Sequence, residues 1–271
     1  TVQYVSPTVW AWREKRVRKI SRAADLVLCL FPFEPEFFRQ HDVPATYVGH
    51  PLAEQVQQDY DPPGARQRLG LNPKAITVSL LPGSRMSEVS RLAEPMIGAA
   101  SLLADRHQGI QFVCAIANDQ VEAVFREEMQ RLNAPSIHLV QHDPRSVIAA
   151  ADTVLCASGT ATLEVMLVNR PLVMTYRIAP STYRLGKALN LVKLKWFSLP
   201  NILANEGLVP ELIQNEATAA NLADAADRWL NDETARRLLS IRFRQLHQTL
   251  ECDAGRKAAR AVAGLLGDTV P

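Results

Sequence analysis

Long hydrophobic runs are missing from this 271-residue sequence. No window approaches the roughly 18 uninterrupted apolar residues that a transmembrane helix needs, and no secretory signal opens the chain. An initiating methionine is missing too, because the sequence begins at Thr1 and runs at once into the strand-like segment Val2–Val5. We therefore expect a chain that is entered partway through a domain, with enough length for two α/β domains or one large one.

Cysteine and histidine are few and scattered. Cys29, Cys114 and Cys156 lie in apolar, strand-like runs, and Cys252 is far from all three, which predicts buried thiols and no disulfide framework. The six histidines show neither HxH nor HExxH spacing, and no pair of cysteines has zinc-finger spacing, so the sequence predicts no metal site. Ser158 is not in a GxSxG motif, which argues against a hydrolase nucleophile.

Strand-like and helix-like segments alternate along the whole chain, which is typical of parallel α/β sheets. Three predicted strands fall in the first fifty residues, and five more follow from residue 75, as in a doubly wound, Rossmann-like domain. A polar, proline-bearing segment over residues 53–73 separates the two series. The predicted domains are 1–52, a Rossmann-like remainder; 53–235, a second Rossmann-like domain; and 236–271, the closing helices. In the second domain, Glu94-Pro95 resembles a helix start, which predicts an extended loop over residues 86–93.

The most informative stretch joins a strand to a helix between Asp152 and Met166. An apolar strand ends at a turn of Ser158, Gly159 and Thr160, and a helix carrying Glu164 follows. Backbone N–H groups in the first turn of a helix attract anions such as a diphosphate. Glu164 lies one turn after Thr160, where its carboxylate could accept hydrogen bonds from the hydroxyls of a ribose. The alternative is a Ser/Thr-capped helix in an ordinary α/β domain.

A second polar turn, Gly83-Ser84-Arg85, follows another predicted strand and should lie at the same edge of the sheet. The planar fork of Arg85 suits a diphosphate and would stabilise the charge on a departing nucleotide, although an exposed loop arginine is the alternative. Asn201 could donate to a phosphate or sugar oxygen, or it could simply form a turn.

Basic residues are concentrated near the start of a chain whose net charge is only +2. The cluster joins Trp10 and Trp12 to Arg13, Arg16 and Lys19, a combination that fits an anionic membrane surface or a lipid phosphate. A solvated helix face is the alternative. Nucleic acid could use the same features, but no recognised nucleic-acid motif accompanies them, and we expect no nucleic-acid partner.

Five motifs together resemble the bacterial lipid-A-disaccharide synthase family, in order and approximate spacing, over essentially the whole chain. The motifs are YVSPTVWAWR at residues 4–13, YVGH at 47–50, LLPGSR at 80–85, ASGTATLE at 157–164 and SLPNILA at 198–204. The turn from Ser158 to Glu164 is shared by many nucleotide-sugar enzymes, so it is the combination that is specific.

The resemblance implies a B-type glycosyltransferase fold, in which two Rossmann-like domains face a cleft and the N-terminal one is incomplete here. It implies transfer of 2,3-diacylglucosamine from UDP to 2,3-diacylglucosamine 1-phosphate (lipid X), giving an inverted β-1,6 bond in Gram-negative lipid A biosynthesis. No metal or cofactor is implied, and the protein would be peripheral on the cytoplasmic face of the inner membrane. The general base is expected in a preceding part of the N-terminal domain, so we expect this chain alone to be inactive. The sequence leaves the choice between a monomer and a homo-oligomer open.

Two other functions compete with this one. A UDP-sugar 2-epimerase shares the fold and a similar ribose-binding glutamate, but it needs no lipid surface. The chain could also be an inactive, UDP-binding half-protein.

Overall fold

Parallel β-sheets form the framework of the protein in the computed structural model. The structure describes residues 1–7, 9–12, 16–57, 60–179, 181, 183 and 194–267, and for residues 11 and 12 it describes the backbone. The chain divides into two compact units. The first unit contains Thr1–Val56, Pro180–Lys195 and Gln245–Pro271, and the second contains Gln57–Ala179 and Trp196–Arg244.

The described strands and helices alternate as the sequence predicts. Those of the N-terminal segment are β1 (Val2–Tyr4), α1 (Val9–Trp12), α2 (Val17–Ala23), β2 (Leu26–Cys29), α3 (Glu34–Arg39), β3 (Ala45–Tyr47) and α4 (Pro51–Gln55). Next come α5 (Pro62–Arg68), β4 (Thr77–Leu81), α6 (Met86–Arg106), β5 (Gln111–Ile116), α7 (Asp119–Arg131), β6 (Ile137–Gln141), α8 (Pro144–Ala150), β7 (Thr153–Ala157), α9 (Thr160–Leu167) and β8 (Leu172–Tyr176). The remaining elements are α10 (Leu199–Ala204), β9 (Glu211–Ile213), a 3₁₀ turn (Gln214–Glu216), α11 (Ala219–Asn231), α12 (Glu233–Leu250) and α13 (Ala254–Leu266).

The sheet of the first unit is a parallel ladder in the order β1-β2-β3, covered on both faces. Because side chains alternate along a strand, Val27 and Cys29 point to one face of β2, and Leu26 and Leu28 point to the other. The first face packs against residues of the neighbouring N-terminal segments, Val9, Val17, Phe38 and Val43. The second face packs against residues of α13, namely Ala258, Ala261 and Val262. The last helix therefore completes the core of the unit that the first residues begin.

The sheet of the second unit has six parallel strands in the order β6-β5-β4-β7-β8-β9. From β4 the chain moves outward through β5 to β6, and then returns to place β7 on the other side of β4. All residues of β4 and β7 are buried, as expected for central strands of a sheet covered on both faces. The strand order therefore reverses between β4 and β7, and this position is the topological switch point of the sheet.

Helix α6 corrects one expectation from the sequence. It begins at Met86, and Pro95 lies inside it, so residues 86–93 are helical and do not form an extended loop. Proline removes a helical hydrogen bond, at a cost of about 3 kcal/mol in a helix interior. The apolar face on both sides of Pro95 is buried, including Val89, Leu92 and Met96, and packing of that face keeps the helix continuous.

Two findings bear on the sequence predictions about buried thiols and transmembrane helices. Cys29, Cys114 and Cys156 are buried free thiols, as predicted. Burial raises the pKa of Cys29 to about 12, which keeps this thiol neutral and unreactive at neutral pH. Among the residues that the structure describes, no helix combines the length and the apolar character needed to cross a membrane.

Candidate functional site

The two polar turns predicted from the sequence follow neighbouring strands at the switch point. Strands β4 and β7 pair in parallel, with Leu81 opposite Cys156 near their carboxyl ends. Gly83-Ser84-Arg85 comes directly after β4, and Ser158-Gly159 comes directly after β7. In open α/β sheets, ligands bind outside the carboxyl ends of the strands at such a reversal of strand order. The structure therefore brings both candidate turns to the position where this fold class binds its ligands.

The turn after β7 is held by its neighbours and exposes its backbone. Ser158 donates its N–H to the carbonyl of Thr175 (3.0 Å), and its hydroxyl donates to the carbonyl of Phe197 (3.3 Å). Gly159 has φ +128°, a conformation that L side chains rarely adopt, and a Cβ there would meet open space. Gly159 has no side chain with which to cap helix α9, so the first N–H groups of this helix can donate hydrogen bonds to an anionic ligand.

Thr162 fixes the same turn from the inside. Its buried hydroxyl donates to the carbonyl of Gly159 (2.8 Å) and accepts the N–H of Leu199 (3.2 Å). One side chain thus joins the turn after β7 to the segment that begins α10. The shape of the turn is consequently set before any ligand arrives, which lowers the entropy cost of binding.

The turn after β4 is closed by a carboxylate that sequence reasoning missed. Glu88 accepts the N–H groups of Ser84 (3.3 Å) and Arg85 (3.4 Å), and it forms an ion pair with the guanidinium of Arg85 (2.9 Å). The Arg85 side chain is 78% exposed, whereas that of Glu88 is 20% exposed. Gly83 is required here, since a Cβ at this residue would lie 2.6 Å from the Glu88 carboxylate. An anion that approached these amides would compete with Glu88, but the exposed fork of Arg85 could reach it directly.

Glu164 lies on α9 as the sequence predicts, and it has a partner that the sequence did not suggest. Nε of Arg145 lies 3.3 Å from Oε1 of Glu164, with the two side chains 35% and 20% exposed. Arg145 comes from the first turn of α8, which follows β6 and its loop. The available signal was the position of Arg145 at the start of the helix that follows a strand, at the edge that carries the other candidate residues.

Asn201 corrects the prediction of a phosphate or sugar contact. Its side chain is fully buried, and its amide group donates to the carbonyl of Val209 (2.9 Å) and to Glu211 (2.8 Å). Its oxygen accepts the N–H groups of Leu208 (2.8 Å) and Val209 (2.9 Å). These four bonds use the hydrogen-bonding capacity of the amide. Asn201 therefore fixes the loop between α10 and β9, as in the turn-forming alternative, and we leave it out of the candidate ligand set.

The predicted lipid-facing cluster divides into two groups. The indole of the half-buried Trp10 donates to the buried carboxylate of Glu34 (3.1 Å), which ties Trp10 to the turn after β2. Arg16 and Lys19 are exposed and line a shallow cavity of about 260 Å³ beside β1. Arg13 and the side chain of Trp12 lie outside the described residues. Arg16 directly precedes helix α2, and Lys19 lies within it.

A metal ion in a protein is bound by a group of ligand side chains that lie close together. Within the described part of the chain, no group of three or more His, Cys, Asp or Glu side chains could hold a metal ion.

Three comparisons place this arrangement among known proteins. The family model described as Lipid-A-disaccharide synthetase matches residues 1–262. The lipid-A-disaccharide synthase of Xanthomonas oryzae pv. oryzae is 45% identical over 268 residues, which are 98% of this chain and 62% of that protein. The chain thus spans about three-fifths of the length of this curated relative.

Solved structures show the same fold at much lower identity. WaaG, described as a glycosyltransferase involved in lipopolysaccharide biosynthesis, matches with a TM-score of 0.54 and 16% identity, over 88% of this chain and 62% of that one. The UDP-GlcNAc 2-epimerase from Neisseria meningitidis bound to UDP-GlcNAc matches with a TM-score of 0.60 and 11% identity, over 93% and 64%. The fold is that of the B-type glycosyltransferases, and the family model and the relative together show that the chain belongs to the lipid-A-disaccharide synthase family.

Proposed function

We propose that the second unit binds the nucleotide of a UDP-sugar at the switch point between β4 and β7. The observation that carries this proposal is the convergence of two polar turns on neighbouring strand ends, with Glu164 one helical turn beyond Thr160. The backbone N–H groups after Gly159 would receive the diphosphate, and the Glu164 carboxylate would receive the ribose hydroxyls. The uncapped start of α9 supports the first role, and the partial burial of Glu164 supports the second.

Arg85 would act on the same diphosphate from the turn after β4. Its guanidinium is exposed and anchored at one nitrogen by Glu88, so its other N–H groups can face a ligand. A guanidinium matches two phosphate oxygens at once, and it remains charged at every physiological pH. We expect Arg85 to stabilise the negative charge that develops on UDP as the sugar departs. Gly83 and Ser84 would place that fork by shaping the turn.

For the whole protein, of which this chain spans a part, we propose a hexosyl transfer in lipid A biosynthesis. The 6-hydroxyl of lipid X would attack the anomeric carbon of UDP-2,3-diacylglucosamine while the bond to the diphosphate breaks. Attack from the opposite face gives a β-1,6 bond, UDP leaves, and the hydroxyl proton passes to a general base. We assign that base to no described residue.

Exposed Arg16 and Lys19 support a peripheral location on the cytoplasmic face of the inner membrane. Lysine and arginine near an anionic bilayer each contribute about 1 kcal/mol of attraction. The same cations could also receive the phosphate of the lipid acceptor. Both substrates carry long acyl chains and would lie in the membrane, so an enzyme bound at the membrane surface would have direct access to them.

The deciding experiment uses the full-length protein that contains this chain, with both lipid substrates in mixed micelles and products identified by mass spectrometry. We expect disaccharide 1-phosphate and UDP in equal amounts, and strongly reduced formation with Glu164→Ala. Glu122→Ala is the matched control, because Glu122 is also a surface glutamate that pairs with an arginine Nε. A UDP-sugar epimerised at C2, with no disaccharide, would contradict the proposal and support the epimerase alternative that the family assignment does not favour.

A further inference from the structure

Arg145 is a side chain at the candidate site whose role neither the motifs nor the proposed function explains. Its backbone is held firmly by α8, which crosses from β6 back to β7 and has four consecutive buried residues, Val147–Ala150. The hydroxyl of Ser79 on β4 donates to the carbonyl of Val147 (2.6 Å) and ties the helix to the sheet. The start of α8 is fixed as well, since Asp143 caps it by accepting the N–H of Ser146 (3.0 Å).

From this rigid base the Arg145 side chain reaches Glu164 on α9, with Nε 3.3 Å from Oε1. Both side chains are partly withdrawn from water, so their attraction is screened less than that of an ordinary surface pair. The residues are 19 positions apart in the sequence, and the pair joins two different crossover helices. A pair of this kind restricts the rotamers of the glutamate, which otherwise rotates about three side-chain bonds.

We propose that Arg145 is a positioning residue that holds Oε1 of Glu164 and so presents the other oxygen, Oε2, to a vicinal diol of the ligand. The ligand class is then a ribonucleoside diphosphate, selected against its deoxyribose counterpart. This inference rests on the proposed nucleotide site, and it adds to it a residue that determines specificity for the sugar of the nucleotide. Arg145 touches the carboxylate and not the reacting atoms, so its loss affects recognition of ribose more than recognition of phosphate.

The test compares the affinities for UDP and 2′-deoxy-UDP by calorimetry in the full-length protein that contains this chain, as wild type and as single and double variants. In the wild type we expect UDP to bind about tenfold or more tightly than 2′-deoxy-UDP, because a partly buried acceptor loses its donor in the deoxy ligand. Arg145→Gln should reduce this ratio to about two, with 2′-deoxy-UDP affinity nearly unchanged. In an Arg145→Gln/Glu164→Ala double variant, the affinity ratio should be about the same as in the Arg145→Gln single variant. The two substitutions are not additive because each disrupts the same contact with the ribose.

Control variants distinguish the loss of Glu164 positioning from a general loss of folded protein. Arg126→Gln breaks a similar Nε–Oε1 pair with Glu122 on α7, and it should leave the ratio unchanged. Arg145→Lys should restore part of the ratio, since a point charge attracts the carboxylate without the directed Nε–H. If Arg145→Gln unfolds at the assay temperature, Arg145→Lys alone decides the outcome. An unchanged ratio in the folded Arg145 variants, with UDP still bound, would overturn the positioning role alone, whereas a wild type that binds no UDP would overturn the nucleotide site itself.

Discussion

Each of the two units has a glutamate shortly after a buried parallel strand, and the two carboxylates do different things. In the first unit, Glu34 is 2% exposed and accepts the N–H groups of Leu30 (3.0 Å) and Phe31 (2.9 Å). It also accepts the indole N–H of Trp10, so the carboxylate closes the turn that follows β2. Burial raises the pKa of Glu34 above its usual range, and these hydrogen bonds oppose the shift.

In the second unit, no described N–H group of the turn before Glu164 donates to its carboxylate. The carboxylate pairs with Arg145 on another helix, and no side chain caps the helix start at Gly159. Glu88, after β4, is intermediate, because it accepts two amides of its own turn and also anchors the exposed Arg85. The comparison shows that a glutamate after a buried strand can accept the N–H groups of its own turn, as Glu34 does, or pair with an arginine from another helix, as Glu164 does.

The largest effect should come from Arg85, the exposed cation after β4 in the second unit. We expect Arg85→Ala to lower disaccharide synthesis by the full-length protein about 10²–10³-fold, as removal of a group that stabilises developing charge does elsewhere. Arg85→Lys should not restore the rate, because a point charge cannot form the two parallel bonds of the guanidinium. Near-normal turnover of the lysine variant would rule out the bidentate role, and Arg126→Ala serves as the control.

The next effect concerns Glu164, which should matter for binding and little for folding. Glu164→Ala should weaken UDP binding by about 2–4 kcal/mol, since hydrogen bonds to a charged acceptor are lost. Its thermal midpoint should stay close to that of the wild type. Calorimetry with UDP on the folded variant measures the first quantity and a thermal melt the second. Equal UDP affinity in the variant and the wild type would mean that Glu164 does not hold the ribose.

Glu34 should show the reverse pattern. Glu34→Gln should lower the free energy of unfolding by about 1–3 kcal/mol, because the amide group would face N–H donors and leave one of them unpaired. UDP binding by the second unit should stay unchanged. The matched control is Glu36→Gln, on the same helix, whose carboxylate is 55% exposed and pairs with Arg39. Equal stability of the two variants in denaturant titrations would remove the contrast between the units.

The pH dependence of stability follows from the same carboxyl. Because the pKa of Glu34 is higher in the folded protein than in the unfolded chain, the folded state binds more protons between the two values. The stability contributed by Glu34 is therefore fully present below the unfolded pKa, about 4.3 for glutamate, and is lost as the pH rises through the folded pKa. Glu34→Gln should flatten this slope, and a slope identical to that of the wild type would contradict the assignment.

The smallest effect should be at the basic surface of the first unit. Arg16→Glu/Lys19→Glu should weaken cosedimentation with anionic vesicles, by about 1 kcal/mol for each positive charge lost, and added salt should do the same. Arg126→Glu/Arg131→Glu changes the net charge equally at exposed residues of the second unit, and it should bind vesicles as the wild type does. Binding that ignores both salt and the first substitution pair would identify α2 as an ordinary solvated helix face.

The sequence predicted well what depends on neighbours in the chain. The central strands β4 and β7 consist mostly of apolar and β-branched residues, and the turns after them contain the glycines that positive φ angles require, so both strands and their turns could be recognised. The carboxyl-edge location of both turns also followed, because it depends only on the parallel α/β pattern.

What could not be predicted depends on contacts between distant residues. Strand β9 has three residues and no apolar run, yet its Glu211 binds Asn201 and holds that side chain away from any ligand. Helix α6 passes through Pro95 because packing of its buried face outweighs the lost hydrogen bond. The Arg145–Glu164 pair joins two helices whose separation no local pattern encodes.

The packing of α13 against β2 has a consequence for the order in which the protein is made. Leu26 and Leu28 emerge from the ribosome more than two hundred residues before Ala258 and Ala261, which cover them. Synthesis proceeds at about 5–20 residues per second, so this apolar face stays uncovered for about ten seconds or longer. Over the same interval the second unit can assemble its own sheet. Nascent chains of this protein should therefore bind chaperones through β2 until α13 has emerged from the ribosome and covers it.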